Sequence, residues 1–396
     1  MRVLIVTGDF AGENRNPWLL DDLAIALADA GDDVDVLVYD TKRGRTAGLN
    51  QYSDKRIRVF GVGPTKARSG RAGKLLNYLA AGRGLHTAGF QMVRRRRYDL
   101  CIYTSIGIFS WGLPTRLRRA GVTRRTVFVL WDFFPIHQLE IGRITRKVLH
   151  APLRAMEALS MKAADVIAVM SPANDRFLRA YHPNIKTPSI IVPPWASDAP
   201  PGTAEHVTKR DRFTVIFGGQ LAAGRSLESL LRAARRLQDE MLPIDLLIVG
   251  EGPARTALTG LADKLGLANT TFARALPRPE YRRILQSTHV GVAVTVSGVA
   301  PPTFPSKVVE YCASSIPVIV CSEASSDTGA LVENAGAGVA VLAGDIDKLT
   351  LAIRGLYQEY LIGTLESRGR CARRLFETQL SVEHAASTIR AVAVHR

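Results

Sequence analysis

The sequence predicts an α/β protein with two doubly wound halves. Apolar, strand-like runs alternate with helical segments, and the alternation starts again after residue 212. A tract rich in Pro, Ala, Thr and charged residues separates the two series, as linkers commonly do. With 396 residues, the chain is long enough for two domains that each bury a core. We predict an N-terminal domain over 1–195, a linker over 196–212, a C-terminal domain over 213–375 and a last helical segment over 376–396.

The first half begins with a buried strand and continues as strand–helix units. After the loop Gly8–Gly12, Asn16 and Pro17 favour the start of a helix, and Gly31 favours its end. The acidic turn that follows (residues 32–35) is expected at the surface. The predicted strands are Arg2–Thr7, Val34–Tyr39, Asp99–Tyr103, Thr126–Leu130, Asp165–Met170 and Ser189–Val192.

The second half repeats the pattern, with a helix from Ser226 to about Gln238 after its first strand. Its predicted strands are Phe213–Phe217, Ile244–Val249, Val290–Val294, Pro317–Val320 and Gly338–Val341. Alternating units of this kind form parallel sheets, and ligands bind beyond the carboxyl ends of their strands. Two such halves facing each other would line one cleft.

The composition is that of a folded soluble protein, with 46% apolar and 22% charged residues. No apolar run reaches the roughly 20 residues of a membrane span. Because a strand begins at Arg2, we expect no signal peptide. The four cysteines lack metal-site spacing, and Cys101 and Cys321 are expected as buried thiols in a reducing cytoplasm.

Positive charge is concentrated in residues 41–98, which hold 15 Lys and Arg but one acid, Asp54. Leucines are interleaved with these cations at roughly helical spacing, which suits docking on an anionic membrane. The alternative is a solvated basic face. Nucleic acid is disfavoured, because stacking aromatics are sparse and no reader motif is present. The candidate membrane or acceptor residues are Arg68, Arg71, Lys74, Arg94, Arg95, Arg96 and Arg97.

The segment from Phe304 to Glu310 carries the strongest chemical signal. Ser306 and Lys307 stand at the start of a helix, where backbone N–H groups and the helix dipole favour phosphate. Glu310, one turn further, could accept hydrogen bonds from sugar hydroxyls. An ordinary helix with Ser306 as its N-cap is the alternative.

The other motifs that could bind a phosphate, a dinucleotide or a metal give weaker signals. The chain lacks a P-loop, and Gly250-x-Gly252 lacks the third glycine of a dinucleotide fingerprint. Asp345 is expected to be an N-cap, and no histidines stand at ligand spacing, so we expect no metal. Without a metal, a diphosphate requires cations, and Arg225 and Lys307 can supply them.

Several segments together resemble family 4 of the retaining glycosyltransferases, which has the GT-B fold of two Rossmann-like domains facing across a cleft. The combination covers most of the chain in the right order. In the first half, the segments Trp131–Pro135 and Leu139–Gly142 resemble a subgroup that builds cell-surface polysaccharides. The second half carries the likeness best, in Gly219–Ser226, Val249–Pro253, Phe304–Glu310 and Pro317–Ile319.

Three positions depart from the family pattern. The first acid of the family's E-x7-E pair would stand at position 302, which is Pro302. Gln220 and Arg225 replace the Arg and Lys of the phosphate loop. The family's first acid touches the transferred sugar, so the resemblance assigns that task to the backbone of residues 299–303.

The resemblance implies that the donor is a nucleotide-sugar, expected to be a UDP-sugar, and that no cofactor or metal is used. Glu310 would hold the ribose, Arg225 would stabilise the leaving diphosphate, and Asp132 would orient the acceptor, with His137 as a second choice. The implied donor-binding set is Gly12, Gly219, Gln220, Arg225, Gly252, Ala275, Leu276, Thr303, Phe304, Ser306, Lys307 and Glu310.

The acceptor implied by a basic, partly apolar first half is a lipid-linked glycan or glycolipid at the inner face of the plasma membrane, with a soluble natural product as the alternative. In such folds the last helix returns to the N-terminal domain. Two alternatives stay open: a catalytically impaired sugar-nucleotide-binding subunit, and a nucleotide-sugar epimerase of the same fold.

Overall fold

The chain forms two compact units, one made of Met1–Pro193 with Val382–Arg396 and the other of Pro194–Ser381. The computed structural model describes residues 1–8, 10, 19–39, 50–51, 56–63, 68–104, 112–142, 144, 147–198, 207–222, 226–296 and 298–394, without the side chains of 50, 51, 71, 72, 74, 75 and 78. The contact boundary falls two residues before the end of the predicted N-terminal domain. The chain passes from the second unit back to the first between residues 381 and 382, inside the predicted C-terminal segment.

The first unit has an eight-stranded sheet in the order β3-β4-β2-β1-β5-β6-β7-β8. All of its pairings are parallel except β3 with β4. Its strands are β1 (Arg2–Thr7), β2 (Asp33–Tyr39), β3 (Asn50–Gln51), β4 (Ile57–Val62), β5 (Tyr98–Thr104), β6 (Thr123–Leu130), β7 (Val166–Val169) and β8 (Ser189–Ile191).

Helices of the first unit lie between these strands, and one comes from the end of the chain. They are α1 (Leu19–Asp29), α2 (Gly70–Gly84), α3 (Phe90–Val93), α4 (Gly112–Arg119), α5 (Ile136–Glu140), α6 (His150–Lys162), α7 (Pro172–Tyr181) and α15 (Val382–Val394). A π-helical turn, Leu85–Gly89, joins α2 to α3. The last helix, α15, packs against α1, β5 and β6.

The second unit has a six-stranded parallel sheet in the order β11-β10-β9-β12-β13-β14. Its strands are β9 (Phe213–Gly218), β10 (Ile244–Val249), β11 (Thr270–Ala273), β12 (Val290–Val294), β13 (Val318–Ser322) and β14 (Gly338–Leu342). Its helices are α8 (Leu227–Asp239), α9 (Arg255–Lys264), α10 (Arg278–Ser287), α11 (Lys307–Ala313), α12 (Thr328–Asn334), α13 (Ile346–Leu361) and α14 (Leu365–Leu375), followed by a π-helical segment, Phe376–Leu380.

The central strands are apolar on both faces because helices cover both sides of a parallel sheet. Every residue of β9, β12 and β13 is buried. This confirms the predicted α/β fold with two Rossmann-like sheets. The sequence prediction missed β4 and β11. Both are only partly buried, so neither shows the continuous apolar run that marks the inner strands.

The expectation that the acidic turn after α1 lies at the surface is wrong. Asp32 and Asp35 are buried. Asp35 lies on β2, where it accepts hydrogen bonds from the Arg58 Nε at 2.8 Å and from the Tyr98 hydroxyl at 2.5 Å. Because buried carboxylates require partners, Asp35 draws basic side chains of the first half into the fold.

Three smaller predictions are confirmed. Gly31 follows α1 with φ +86°, a backbone conformation that favours glycine. The Asp345 carboxylate caps α13 by accepting the Lys348 N–H at 2.9 Å. Cys101 and Cys321 are buried, and burial raises the pKa of each thiol to about 12.

Candidate functional site

The candidate site lies at the carboxyl edge of the second sheet, between β9 and β12. Here the chain order reverses: β9 continues through β10 to β11 on one side, and β12 begins the series to β14 on the other. Loops that leave such neighbouring strands diverge and leave a crevice where ligands bind in doubly wound sheets. The loops after β9 and β12, together with helix α11, carry most of the predicted donor-binding residues.

The turns after β9 and β10 run side by side and extend the sheet by main-chain hydrogen bonds. The Gly219 N–H donates to the Val249 carbonyl, and the Leu221 N–H donates to the Glu251 carbonyl, both at 2.9 Å. A Cβ at Gly250 would overlap the carbonyl oxygen of Gly219. Gly250 therefore lets the two turns approach each other, which is the physical reason for a glycine there.

Lys307, the first residue of α11, reaches back to the turn after β9. Its ammonium nitrogen lies 5.3 Å from the centre of the Phe217 ring. Gly219 has φ +135°, and a Cβ there would overlap the Lys307 side chain. The cation thus lies directly against the backbone that closes β9, at the crevice. Predicted donor residues Gly219 and Lys307 are brought together.

Glu310, one turn into α11, is held by two arginines of α10. Its Oε1 accepts from the Arg278 Nε at 3.0 Å, and its Oε2 accepts from the Arg282 Nε at 3.2 Å. The exposed fractions of the three side chains are 22%, 15% and 13% for Glu310, Arg278 and Arg282. A second nitrogen of Arg278 lies 2.9 Å from the same Oε1. Because a carboxylate oxygen has about two lone-pair sites, Oε2 is the oxygen that keeps capacity for a further donor such as a ligand hydroxyl.

Two tyrosines join the same helices to the sheet beneath. The Tyr311 hydroxyl accepts the Gly218 N–H at 3.1 Å and donates to the Val292 carbonyl at 3.2 Å. Burial raises the pKa of Tyr311 to about 12, and it raises the pKa of Tyr281 well above its usual value. Both phenols therefore stay protonated and hold α10 and α11 at the ends of β9 and β12.

The loop after β12 is fixed from the end of β13. Thr303 donates its N–H to the Glu323 Oε1 at 2.6 Å and accepts the Ser326 hydroxyl at its carbonyl at 2.7 Å. Phe304 is buried. Ser306 precedes α11 in the N-cap position, but its hydroxyl makes no capping hydrogen bond. That hydroxyl is exposed to solvent with the rest of the residue.

The ends of β10 and β11 are tied by Arg255. Its guanidinium donates to the carbonyl oxygens of Gly250 at 2.7 Å and Ala273 at 3.0 Å. The predicted base-contacting residues follow directly: Ala275 is exposed and Leu276 is half-buried. Arg255 is thus a support for two of the turns that line this edge.

In the first unit, the turn after β6 presents Asp132 to solvent between two buried aromatic residues, Trp131 and Phe133. Glu157 supports this turn: its Oε1 accepts the Phe134 N–H at 2.7 Å, and its Oε2 lies 2.8 Å from the His182 Nε2. Burial raises the pKa of Glu157, while these hydrogen bonds oppose the rise. His137 is half-buried in the helix that follows.

The basic segment of the first unit divides into exposed and engaged cations. Arg96 lies 3.7 Å from the Asp35 carboxylate, and the Arg97 guanidinium donates to the Gly121 carbonyl. Arg94 and Arg95 are exposed. Arg68 is also exposed, and Arg71 and Lys74 belong to α2 with side chains outside the described set.

Two apolar side chains stand among these cations. Leu76 and Leu79 on α2 are 46% and 50% exposed. Spacings of three and four residues share one face of a helix, so Arg83 continues the same stripe. The helix therefore presents leucine and arginine together to solvent.

Sequence reasoning missed four side chains: Arg278, Arg282, Glu323 and Arg255. The two arginines are spaced i, i+4 on a helix, which predicts a shared face but no partner. Glu323 directly follows a buried strand, and ligands in such sheets bind beyond the carboxyl ends of the strands. Gly12 and Arg225 lie outside the described residues, so their roles stay predictions.

Two properties of the described residues concern metal ions and membranes. No group of three or more His, Cys, Asp or Glu side chains is arranged to hold a metal ion there. Within that same part of the chain, none of the helices combines the length and apolar character that a membrane crossing demands.

Residues 212–359 match the family described as Glycosyl transferases group 1. The match spans β9 to most of α13 and therefore lies within the second unit. A protein of Escherichia coli (strain K12), named as a colanic acid biosynthesis glycosyl transferase, WcaI, is 28% identical over 141 residues. That match covers 35% of this chain and 34% of the relative, about a third of each.

Solved structures show the fold over the whole chain. Sucrose-phosphate synthase (tll1590) from Thermosynechococcus elongatus has a TM-score of 0.69 at 17% identity, covering 99% of this chain and 98% of that chain. Alr3699/HepE of Anabaena, in complex with UDP, has a TM-score of 0.67 at 14% identity, covering 100% of both chains. The fold is that of the GT-B glycosyltransferases.

Proposed function

We propose that this protein is a glycosyltransferase that moves a sugar from a UDP-sugar to a lipid-linked glycan or glycolipid, with retention of the anomeric configuration. The observation that carries the proposal is the pairing of Lys307 and Glu310 on one turn of α11, beside Gly219 at the β9–β12 switch point. A cation and a hydroxyl-binding carboxylate at this spacing suit the diphosphate and ribose of one nucleotide. The group 1 match over the same domain supports this assignment.

The donor would bind across the turns described above. Glu310 accepts hydrogen bonds from ribose hydroxyls while Arg278 and Arg282 keep its carboxylate in place. Lys307, with Arg225, balances the charge that grows on the diphosphate as the bond to the sugar breaks. Gly219, Gln220 and Gly252 let backbone approach the phosphates, and Ala275 and Leu276 meet the base. The structure of the Anabaena protein with UDP favours uracil as that base.

In the proposed reaction the acceptor hydroxyl attacks the anomeric carbon on the face that the diphosphate leaves. A carbon–oxygen bond to the acceptor forms, the bond to the β-phosphate oxygen breaks, and the proton passes to the leaving phosphate. No protein base and no metal are required in this scheme. Asp132, exposed on a turn that Glu157 supports, orients the acceptor.

The acceptor proposal rests on the exposed stripe of α2. Leu76 and Leu79 can enter the interface of a bilayer while Arg83, Arg94 and Arg95 bind anionic headgroups. Each such cation contributes about 1 kcal/mol near an anionic surface. We therefore place the working enzyme on the inner face of the plasma membrane, where a lipid-linked acceptor is presented. The relative named for colanic acid biosynthesis supports a polysaccharide role.

The deciding experiment incubates the protein with labelled UDP-glucose, UDP-galactose, UDP-N-acetylglucosamine and GDP-mannose and measures free sugar. Slow release from a UDP-sugar, as water replaces the acceptor, supports the transferase. Tight binding without release from any of the four supports a catalytically impaired subunit, for which Pro302 is the motivation. Conversion of one labelled UDP-sugar to its epimer supports the epimerase.

The membrane proposal has its own test by vesicle sedimentation. Binding should rise with the fraction of phosphatidylglycerol and fall with salt, and Leu79→Asp should weaken it. Leu361→Asp, at a comparably exposed leucine of the second unit, is the matched control. Equal binding to phosphatidylcholine vesicles would contradict the proposal.

A further inference from the structure

The carboxyl edge of the second sheet holds a buried acid that the proposed chemistry does not use. Glu323 directly follows β13, and 5% of it is exposed. Its Oε1 accepts the Thr303 N–H, and its Oε2 accepts the Thr295 hydroxyl, each at 2.6 Å. Both partners belong to the loop between β12 and α11. The acid therefore fastens the middle and the start of that loop to the neighbouring strand.

Thr303 is fixed at both of its main-chain polar atoms. Its N–H donates to Glu323, and its carbonyl accepts the hydroxyls of Ser326 at 2.7 Å and Thr328 at 3.4 Å. Its own side-chain oxygen is buried and has no hydrogen-bond partner among the residues that the structure describes. An unsatisfied buried hydroxyl costs about 1–3 kcal/mol. A ligand hydroxyl that pairs with Thr303 would offset that cost, whereas valine, which has nearly the same shape, would remove it.

The order of groups along the chain indicates which part of a ligand Thr303 meets. Glu310 and Lys307 suit ribose and diphosphate, and they lie three residues apart on the first turn of α11. Thr303 precedes Lys307 by four residues in the loop that leads into this helix. A nucleotide-sugar runs from ribose through diphosphate to sugar, so the next group beyond Lys307 is the sugar. Sugar hydroxyls can both donate to and accept from a threonine hydroxyl.

We propose that Glu323 is a positioning residue for donor-sugar recognition: it holds Thr303 so that the Thr303 hydroxyl pairs with a hydroxyl of the transferred sugar. The inference rests on the proposed glycosyltransferase function. In this proposal α11 binds the nucleotide, and Glu323 at the end of β13 fixes the position of the loop that binds the sugar. Glu323 itself does not touch the substrate.

The test compares four variants in two assays: UDP affinity by calorimetry, and kcat and KM for sugar release from the four labelled nucleotide-sugars. Glu323→Ala removes both hydrogen bonds. Glu323→Gln preserves both, because the amide oxygen accepts the Thr303 N–H and the amide nitrogen donates to the Thr295 hydroxyl. Thr303→Val removes only the proposed sugar contact. Thr350→Val is the matched control, since the buried Thr350 hydroxyl bonds the Ile346 carbonyl in α13 at 2.7 Å.

Thr303→Val should reduce kcat/KM for sugar release by roughly 3- to 10-fold, as expected for a neutral hydrogen bond, with UDP affinity unchanged. Glu323→Ala should reduce kcat/KM by at least as much, and Glu323→Gln should restore it to within about threefold. Faster amide exchange at Thr303 in Glu323→Ala would report the loosened loop directly. Thr350→Val should leave both assays unchanged.

The outcomes separate the two proposals. Sugar release by the unmodified protein, with equal release by Thr303→Val and Glu323→Ala, overturns this inference alone. Equal losses in Glu323→Gln and Glu323→Ala show that charge rather than positioning matters, and also overturn it. An unmodified protein that binds none of the nucleotide-sugars overturns the proposed function, and this inference with it.

Discussion

The ribose assignment of Glu310 can be tested by removing one hydroxyl from the ligand instead of from the protein. A hydrogen bond to a charged acceptor contributes about 1.5–3 kcal/mol. The unmodified protein should therefore bind 2′-deoxy-UDP or 3′-deoxy-UDP roughly 10- to 150-fold more weakly than UDP. In Glu310→Met the acceptor is absent, so UDP and the same deoxy analogue should bind equally.

The ligand comparison is needed because Glu310 also has a structural role. Its removal leaves Arg278 and Arg282, which are 15% and 13% exposed, without their shared counter-charge. Breaking a fully buried pair costs about 3–5 kcal/mol. Partial solvation of these side chains reduces the expected loss of unfolding free energy to roughly 1–3 kcal/mol. A lower affinity alone would not distinguish a lost contact from a distorted α11.

Glu359→Met provides the matched control. Glu359 binds Arg368 through two hydrogen bonds, at 2.6 and 2.7 Å, in the same unit, and its exposed fraction is 27%. This variant should lose stability in the same range while keeping the full penalty for the deoxy analogues. Calorimetry at one pH and salt concentration measures all of these affinities. If Glu310→Met discriminates UDP from both analogues as strongly as the unmodified protein does, the ribose assignment is refuted.

Three further predictions follow from the same structure. Lys307→Met should weaken UDP binding roughly tenfold or more, while uridine binding stays the same, because the lost partner is the diphosphate; equal losses for both ligands in calorimetry would contradict this. EDTA should leave sugar release unchanged, and activity restored only by added Mg²⁺ or Mn²⁺ would refute metal independence. The pKa of His289 is lowered from 6.5 to about 4, chiefly by burial and then by the nearby cations Lys209 and Arg210, and its Nδ1 accepts the Thr214 N–H at 3.0 Å. Because the folded-state pKa is below the unfolded one, the stability present above about pH 6.5 should fall as the pH drops towards 4, by at most about 3 kcal/mol once solvent screening is included. His289→Asn should show a smaller fall in urea titrations.

The inner strands could be predicted from sequence because burial on both faces leaves a continuous apolar run. β9, β12 and β13 are of this kind. β4 and β11 carry half-buried residues, and neither has the composition of an inner strand. Prediction therefore failed where one side of the strand is less well covered.

Counting charges along the chain predicted a basic face but not which cations reach solvent. Asp35 was expected in a surface turn, yet its burial on β2 brings Arg58 and Arg96 to it. Such pairings join positions far apart in sequence, 23 residues for Asp35 and Arg58. Only the fold therefore separates Arg94 and Arg95, which are exposed, from Arg96, which is half-buried beside Asp35.

The proposed donor site shows the same limit of sequence-based prediction most clearly. Pro302 stands where the family's first acid would be, and from sequence this predicts a site without a carboxylate near the sugar. The fold nevertheless brings one to the adjoining residue, because Glu323 follows the strand beside β12 and reaches the Thr303 N–H. A sequence motif describes the residues of one segment, whereas the edge of a parallel sheet brings together side chains from the ends of several strands. The loss of an acid at position 302 is therefore compatible with a site that still binds the sugar through the loop that Glu323 holds. Thr303→Val tests this, because it should lower sugar release only if the Thr303 hydroxyl contacts the sugar.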